Sequence, residues 1–403
     1  MTKVSISLVL LLFLSVAIFG QTPTRWRGPQ ANGIYPDKGL LKVWPAEGPK
    51  VLWTFNDLGQ GHSSPVFTKD NIYASGMFED IGYIFKFTLK GDLVWKVTYG
   101  KEFKENWPGS RSTPVVAGDH LYMLSGMGKL VCMNTADGKL LWTKDLLKDF
   151  DGRQIQYGLV ETVVIDGDKL YCTPGGIKNN VIALNRNTGS LIWSCPGMGD
   201  KAAYCTPLLV DMGTRKILVT LTAENIIGID TETGKMLWNY GQIDKFAVLA
   251  NTPLYFDKGL FCFSGLDVGG VKLSLTPDGS AVKKDWVNKS MDCRLGGVVL
   301  VNGFIYGSGD RNTAWQCVDW KTGEQKYASK EIPKGNVIYA DGMLYCYSEK
   351  GDLALVEANP SAFKIASSIK VTAGSDQHWA HTAINNGVLY VRHGKALIAY
   401  KIK

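Results

Sequence analysis

The 403-residue chain lacks several signatures that would have named a function class early. No block of five or six like charges occurs, and the formal charge of +7 (+6 without Lys3) is spread thinly along the chain. Nucleic-acid and membrane-surface binding therefore gain no support, and no nucleic-acid partner is expected. After the first twenty residues no apolar run is long enough to span a bilayer. Helical periodicity is absent from the remainder. There is no C-x-x-C, no two adjacent cysteines and no C-x-x-C-H, so zinc-ribbon, vicinal-disulfide and haem-attachment patterns are excluded. A Ser–His–Asp motif, a phosphate loop and a paired-carboxylate signature are missing too.

What is present begins with MTKVSISLVLLLFLSVAIFG, one basic residue followed by an apolar run and small residues. This is a secretory signal layout, with residues 1–20 removed and Gln21 the expected new N-terminus. A membrane anchor is the competing reading, but the apolar run of about 15 residues is short for a span. No cysteine stands near the cleavage point to carry a lipid. The mature protein is expected to be exported, periplasmic or extracellular, and monomeric. The eight cysteines invite a disulfide framework. Their settings favour small buried hydrophobes instead, since Cys172, Cys262 and Cys346 recur at one apolar position and Cys132 and Cys317 at another. Cys195 and Cys205 are the pair worth testing for a bridge.

The remaining text repeats. LVCMNTADGKLLW, VIALNRNTGSLIW and IIGIDTETGKMLW end at Trp142, Trp193 and Trp238. The closing aromatic falls at Trp53, Trp95, Trp142, Trp193, Trp238, Trp286 and Tyr327, at intervals of 41 to 51 residues, with a degenerate copy expected near Phe363–Ile365. Such a period signals a propeller or solenoid. Each unit opens on a T-P-V-like start, as in STPVV (112–116) and CTPLLV (205–210), turns at Asp-Gly or Asn-Gly, and runs through an apolar strand such as KLYCTPG. A Gly-containing turn (Gly138, Gly189, Gly234, Gly323) then leads to the Trp strand. Four short antiparallel strands per unit make a propeller blade. The tail from His381 to Lys403 supplies three strands without a fourth, and KVLWTF (50–55) supplies a fourth without its three. Joining them gives an all-β, eight-bladed propeller over 50–403, closed by the N-terminal strand, with 21–49 as a leader. Closure removes exposed edges. The turn glycine tolerates positive φ, and the Trp is expected to lie on the neighbouring blade, burying on the order of 200 Å².

With IDTETGKMLW and LNRNTGSLIW, the sequence resembles the tryptophan-docking repeat of the PQQ-like β-propeller family. That family includes quinoprotein alcohol dehydrogenases and the propeller lipoprotein of the outer-membrane assembly machine. The leader WRGPQANGIYPDKGLLKVWPAEGPKVLW (26–53) is similar to that of short exported bacterial members. The resemblance implies fold more than function. Quinoprotein dehydrogenases hold PQQ between a Trp and a disulfide of adjacent cysteines, over Ca²⁺ bound by Glu, Asn and Asp. The adjacent cysteines are missing here, as is the acylated Cys of the assembly lipoprotein.

Chemistry is expected on the loops leading into each first strand, which a closed ring brings to one mouth. The candidate ligand-binding residues there are His62, Trp107, Arg111, Glu161, Asn251, Asp292, Arg294, His378, Trp379 and His381. The leading expectation is a binding or scaffold protein, with Arg111 and Arg294 as anion donors and Trp107 and Trp379 as stacking faces, for a small-molecule, carbohydrate or protein partner. The alternative is a PQQ- and Ca²⁺-dependent alcohol or sugar dehydrogenase, with Glu161, Asn251 and Asp292 as Ca²⁺ donors. A third reading gathers His62, His378 and His381 into a metal site. No catalytic residue and no metal ligand is assigned.

Overall fold

The computed structural model describes residues 22–243 and 245–403; the signal segment expected over 1–20 lies outside the described residues. Eight sheets of four antiparallel strands follow one another along the chain, the seventh joined by a parallel fifth strand, Ile34–Tyr35, and the described residues form one helical turn, Leu146–Asp149. Blade 1 is built from Val66–Phe67, Asn71–Phe78, Ile81–Thr88 and Leu93–Lys101. Blades 2 to 6 repeat this order, with first strands at Val115–Ala117, Val164–Asp166, Leu208–Asp211, Leu254–Phe256 and Val298–Val301. Blade 7 starts at Gly335–Ala340. Blade 8 takes Ala383–Asn385, Val388–His393 and Ala396–Lys401 from the tail, and Val51–Phe55 closes it, antiparallel to Ala396–Lys401. The ring is shut as the split repeat required.

The reason for the repeated Trp is visible blade by blade. Every third–fourth strand pair carries a register shift at the docking position. Such a bulge turns the bulged strand and re-aims a side chain. In six blades the indole N–H then donates to a carbonyl in the next blade's third–fourth turn, as Trp142 does to Arg186 (2.9 Å) and Trp193 to Thr231 (2.9 Å). At Gly189, Gly234 and Gly323 a Cβ would stand 2.6–2.9 Å from the docked ring. These glycines therefore serve both the positive φ (70° to 74°) and the close approach of the indole.

Blade 7 departs from the expectation. Its docking position is occupied by Ser367, paired with Leu355 at the register shift, not by the stretch Phe363–Ile365. Phe363 instead belongs to the receiving turn, against Tyr327 and Trp315 of blade 6. The missing tryptophan comes from the leader. Trp44 packs on Tyr345 (6.3 Å), as Trp53, Trp142 and Trp193 pack on Tyr390, Tyr122 and Tyr171, and its backbone N–H donates to Ser367 Oγ (2.8 Å).

Around the axis, first strands are tied by hydroxyls of the T-P motif. Ser64 N–H donates to Thr113 Oγ1 (3.2 Å), Thr113 N–H to Thr162 Oγ1 (3.3 Å) and Thr162 N–H to Thr206 Oγ1 (2.9 Å). A threonine there satisfies a backbone donor that strand pairing leaves over. All eight cysteines are buried free thiols, Cys195 and Cys205 included.

Candidate functional site

At one end of the axis the lead-in loops enclose a cavity of about 420 Å³. Blades 1, 2 and 8 contribute His62, Trp107, Arg111 and Trp379; blades 3 and 4 contribute Tyr157, Val160 and Tyr204; blades 5 and 6 contribute Phe246, Val248, Ala250, Leu266, Arg294 and Leu295. Below lie Thr113, Thr162 and Thr206 of the hydroxyl ring, with Trp26 of the leader and His381. Six of the ten expected residues meet here: His62, Trp107, Arg111, Arg294, Trp379 and His381. Trp379 stands between His62 (5.1 Å) and Trp107 (5.2 Å), so the two stacking faces adjoin.

The other four are turned into the walls. Glu161 Oε1 accepts the Thr173 N–H (2.5 Å), Oε2 has no partner, and burial pushes its carboxyl up to about 7. Asn251 Nδ2 donates to the Cys293 and Arg294 carbonyls (2.7 and 3.0 Å), fastening blade 5 to blade 6. Asp292 accepts from the backbone N–H groups of Asp310 (2.8 Å), Arg311 (3.0 Å) and Asp267 (3.3 Å). His378 stacks on His393 (3.6 Å) and bonds Tyr347 Oη through Nδ1. Sequence position placed them at the mouth; the loop backbones, not the residue types, decide which way each points.

Two metal readings fall with that geometry. Glu161 Oε1, Asn251 Nδ2 and Asp292 each bond a different stretch of backbone and none of the three lines the cavity, so they do not fit a Ca²⁺–quinone pair there. The eight free thiols also leave no disulfide wall for a quinone. Of the three histidines, His381 has both nitrogens committed, to Arg27 Nη1 (3.0 Å) and the Leu295 carbonyl (2.9 Å). Since arginine only donates, Nδ1 accepts and Nε2 carries the proton. Burial, with the Arg27 charge adding, holds this imidazole down to about 3. Among the described residues no group of three or more His, Cys, Asp or Glu could hold a metal.

The cavity's lining carries positive charge only, and carboxylates stand behind it, Glu102 near Arg111 and Asp310 with Glu349 near Arg294. Arg111 is held by the Tyr157 and Asn106 carbonyls (2.9 and 2.8 Å) and by that of Trp107, which fixes its charge at the wall. Arg294 meets Asp310 through Nε at 3.5 Å, and its terminal nitrogens donate to no described protein group. His62 has neither ring nitrogen hydrogen-bonded, and burial, then the Arg392 and Arg111 charges, lowers it to about 3, so it lines the cavity as a neutral ring. None of the described lining residues is Asp, Glu, Asn or Gln. Trp107, Tyr204 and Leu266 hold left-handed φ values of 67°, 70° and 59°. Non-glycine residues pay about 1–3 kcal/mol each for such backbone, which persists only where the surroundings impose it.

Sequence reasoning missed Trp26, Arg27 and Phe246 at this site. Trp26 lies in the leader, outside the repeat, and its own text carries no signal that it reaches the axis.

Comparisons with known proteins place this geometry. A family model described as outer membrane protein assembly factor BamB matches residues 80–329. A quinoprotein ethanol dehydrogenase of Pseudomonas aeruginosa is 27% identical over 157 residues, 39% of this chain and 22% of that protein. The assembly factor BamB of Kangiella koreensis is 25% identical over 122 residues, 29% of this chain and 28% of that one. The chain thus spans under a third of the length of either relative. The crystal structure of BamB from Moraxella catarrhalis superposes with a TM-score of 0.60 at 14% identity, over 88% of this chain and 98% of that one, a likeness of fold alone. No helix among the described residues is long and apolar enough to cross a membrane. With its eight four-stranded blades and docked tryptophans, the chain belongs to the PQQ-like β-propeller family that this BamB model describes.

Proposed function

We propose that this protein is an exported binding propeller whose mouth cavity takes a small organic anion with a planar apolar body. The observation that carries the reading is the lining itself: Trp26, Trp107, Tyr157, Tyr204, Phe246 and Trp379 with two arginines and no carboxylate or carboxamide. A flat ring gains apolar burial and ring contacts here, each aromatic pair adding about 0.5–1.5 kcal/mol. An anionic group gains charge-assisted bonds from the unpaired end of Arg294. A cation would meet two like charges. A sugar, the other partner weighed from sequence, would find few side-chain acceptors for its hydroxyls. A quinone bearing carboxylates falls inside this ligand class, yet without calcium donors its binding would not make a dehydrogenase.

The test is a tryptophan-fluorescence titration with indole-3-acetate and its neutral twin, indole-3-acetamide. The acetate is expected to saturate with a dissociation constant of about 1 mM or tighter, and the amide to bind about tenfold more weakly. Arg294→Gln should reduce that preference at least threefold while the protein stays folded, Asp310 keeping its contact with Lys334. Equal binding of acid and amide, or no saturation by either, would reject the proposal. Export is checked separately by N-terminal sequencing of the protein from its producing cell, expected to start at Gln21.

A further inference from the structure

The leader does more than connect. Thr24 N–H donates to the Val116 carbonyl of blade 2 (2.8 Å), and Thr24 Oγ1 accepts the Val116 N–H (2.8 Å). Ten residues on, Ile34–Tyr35 lies parallel to Tyr339–Ala340 of blade 7, and Tyr339 N–H donates to the Gly33 carbonyl (2.8 Å). The chain between these points crosses the ring's axis. There Trp26 sets its ring edge-on to His381 (4.9 Å) and forms part of the cavity floor. Arg27 reaches blade 6, donating to the Val298 carbonyl (2.6 Å) and to His381 Nδ1 (3.0 Å). Room for it is made by Gly33 and Gly297, where a Cβ would come 2.4 and 1.7 Å from the guanidinium.

Arg27 is buried, 5% exposed, and its partners are a carbonyl and a neutral imidazole. No carboxylate pairs with it among the described residues, and burial lowers it to about 10. A buried cation without a counter-charge is costly, and an anion close by offsets that cost.

We propose that residues 22–35 are a strap that seals the axis and completes the mouth cavity, with Arg27 a specificity-determining residue that favours anions from beneath, so that anion binding and strap docking reinforce each other. Ligand that binds the docked state better than the undocked one must shift that equilibrium, by as much as its differential affinity. The coupling half rests on the cavity being an anion site; the sealing half does not.

Hydrogen exchange on the full chain separates the two halves. Without any probe, Trp26→Ala and Arg27→Met should each speed exchange at Val116 and Tyr339, the amides the strap covers, by about tenfold, leaving Asn225–Asp230 of blade 4 unchanged. Wild-type rates at those two amides, or acceleration around the whole ring, would overturn the seal. Should Arg27→Met not fold, Trp26→Ala alone decides. In the wild type, saturating indole-3-acetate should slow exchange over 22–35 by threefold or more, and indole-3-acetamide should not. Arg27→Met should lose that protection and Arg27→Lys keep it. Protection by the amide as well, or protection surviving Arg27→Met, would overturn the coupling. If indole-3-acetate binds nowhere, the binding reading fails and the seal still stands on the first measurement.

Discussion

Glu161 sits in the wall between blades 3 and 4, one oxygen taking the Thr173 N–H and the other taking nothing. Its sequence neighbours, a V-E-T-V run at a blade start, suggested a cavity-facing donor. The fold turns it inward, where burial raises its carboxyl from about 4.5 to about 7. The folded state therefore keeps its proton after the unfolded chain has lost it, so stability falls as pH rises from about 4.5 to about 7 and is flat above. Glu161→Gln keeps an acceptor for Thr173 and removes the titration. The variant should be level with the wild type near pH 4 and more stable than it by about 1–3 kcal/mol at pH 8, read from paired urea melts. A constant difference across that range would show that the carboxyl titrates alike in the folded and unfolded chains, with no upward shift. Residue types were legible at this scale and orientation was not: Arg294 and Trp379 face the cavity, while Asn251 and Asp292, at the same kind of position, were recruited by unsatisfied backbone N–H and C=O groups nearby.

At the scale of elements the repeat was read well because its parts have mechanical reasons. A glycine at positive φ and a tryptophan one strand later are both needed for a ring to lie on the next blade's turn. Blade 7 broke the pattern because the missing ring arrives from a segment outside the repeat, and no period search finds a part supplied from elsewhere. Trp44 is 4% exposed in a cluster with Tyr345, Tyr347, Leu389 and Tyr400. Trp44→Ala should therefore cost about 3–5 kcal/mol, as a blade's own Trp193→Ala should, in chemical denaturation. A leader that merely tethers would lose under about 1 kcal/mol. The indole N–H of Trp44 finds no partner, unlike those of the six docked tryptophans, so its contribution is packing.

For the whole molecule, the sequence contained the closed ring: a strand without a blade at one end and a blade lacking a strand at the other had one economical solution, and Val51–Phe55 takes it. Closure is also fastened by groups that no pattern revealed. Arg392 of blade 8, fully buried, donates to the Ser63 and Ser75 carbonyls of blade 1, and a hydroxyl chain continues from Ser75 through Ser110 to Tyr99 and Glu102. This brings blades 8, 1 and 2 into one register and sets His62, Trp107 and Trp379 side by side. The mouth was foreseeable from the ring; its floor was not, because the leader's path across the axis depends on contacts at blades 2, 6 and 7 that are distant in sequence.

The most direct measurement is the crystal structure of the protein soaked with indole-3-acetate. The account predicts the indole in the mouth cavity against Trp107 and Trp379, with its carboxylate about 2.7–2.9 Å from a terminal nitrogen of Arg294. An empty cavity at saturating probe, or the carboxylate directed to solvent away from Arg294, would contradict it.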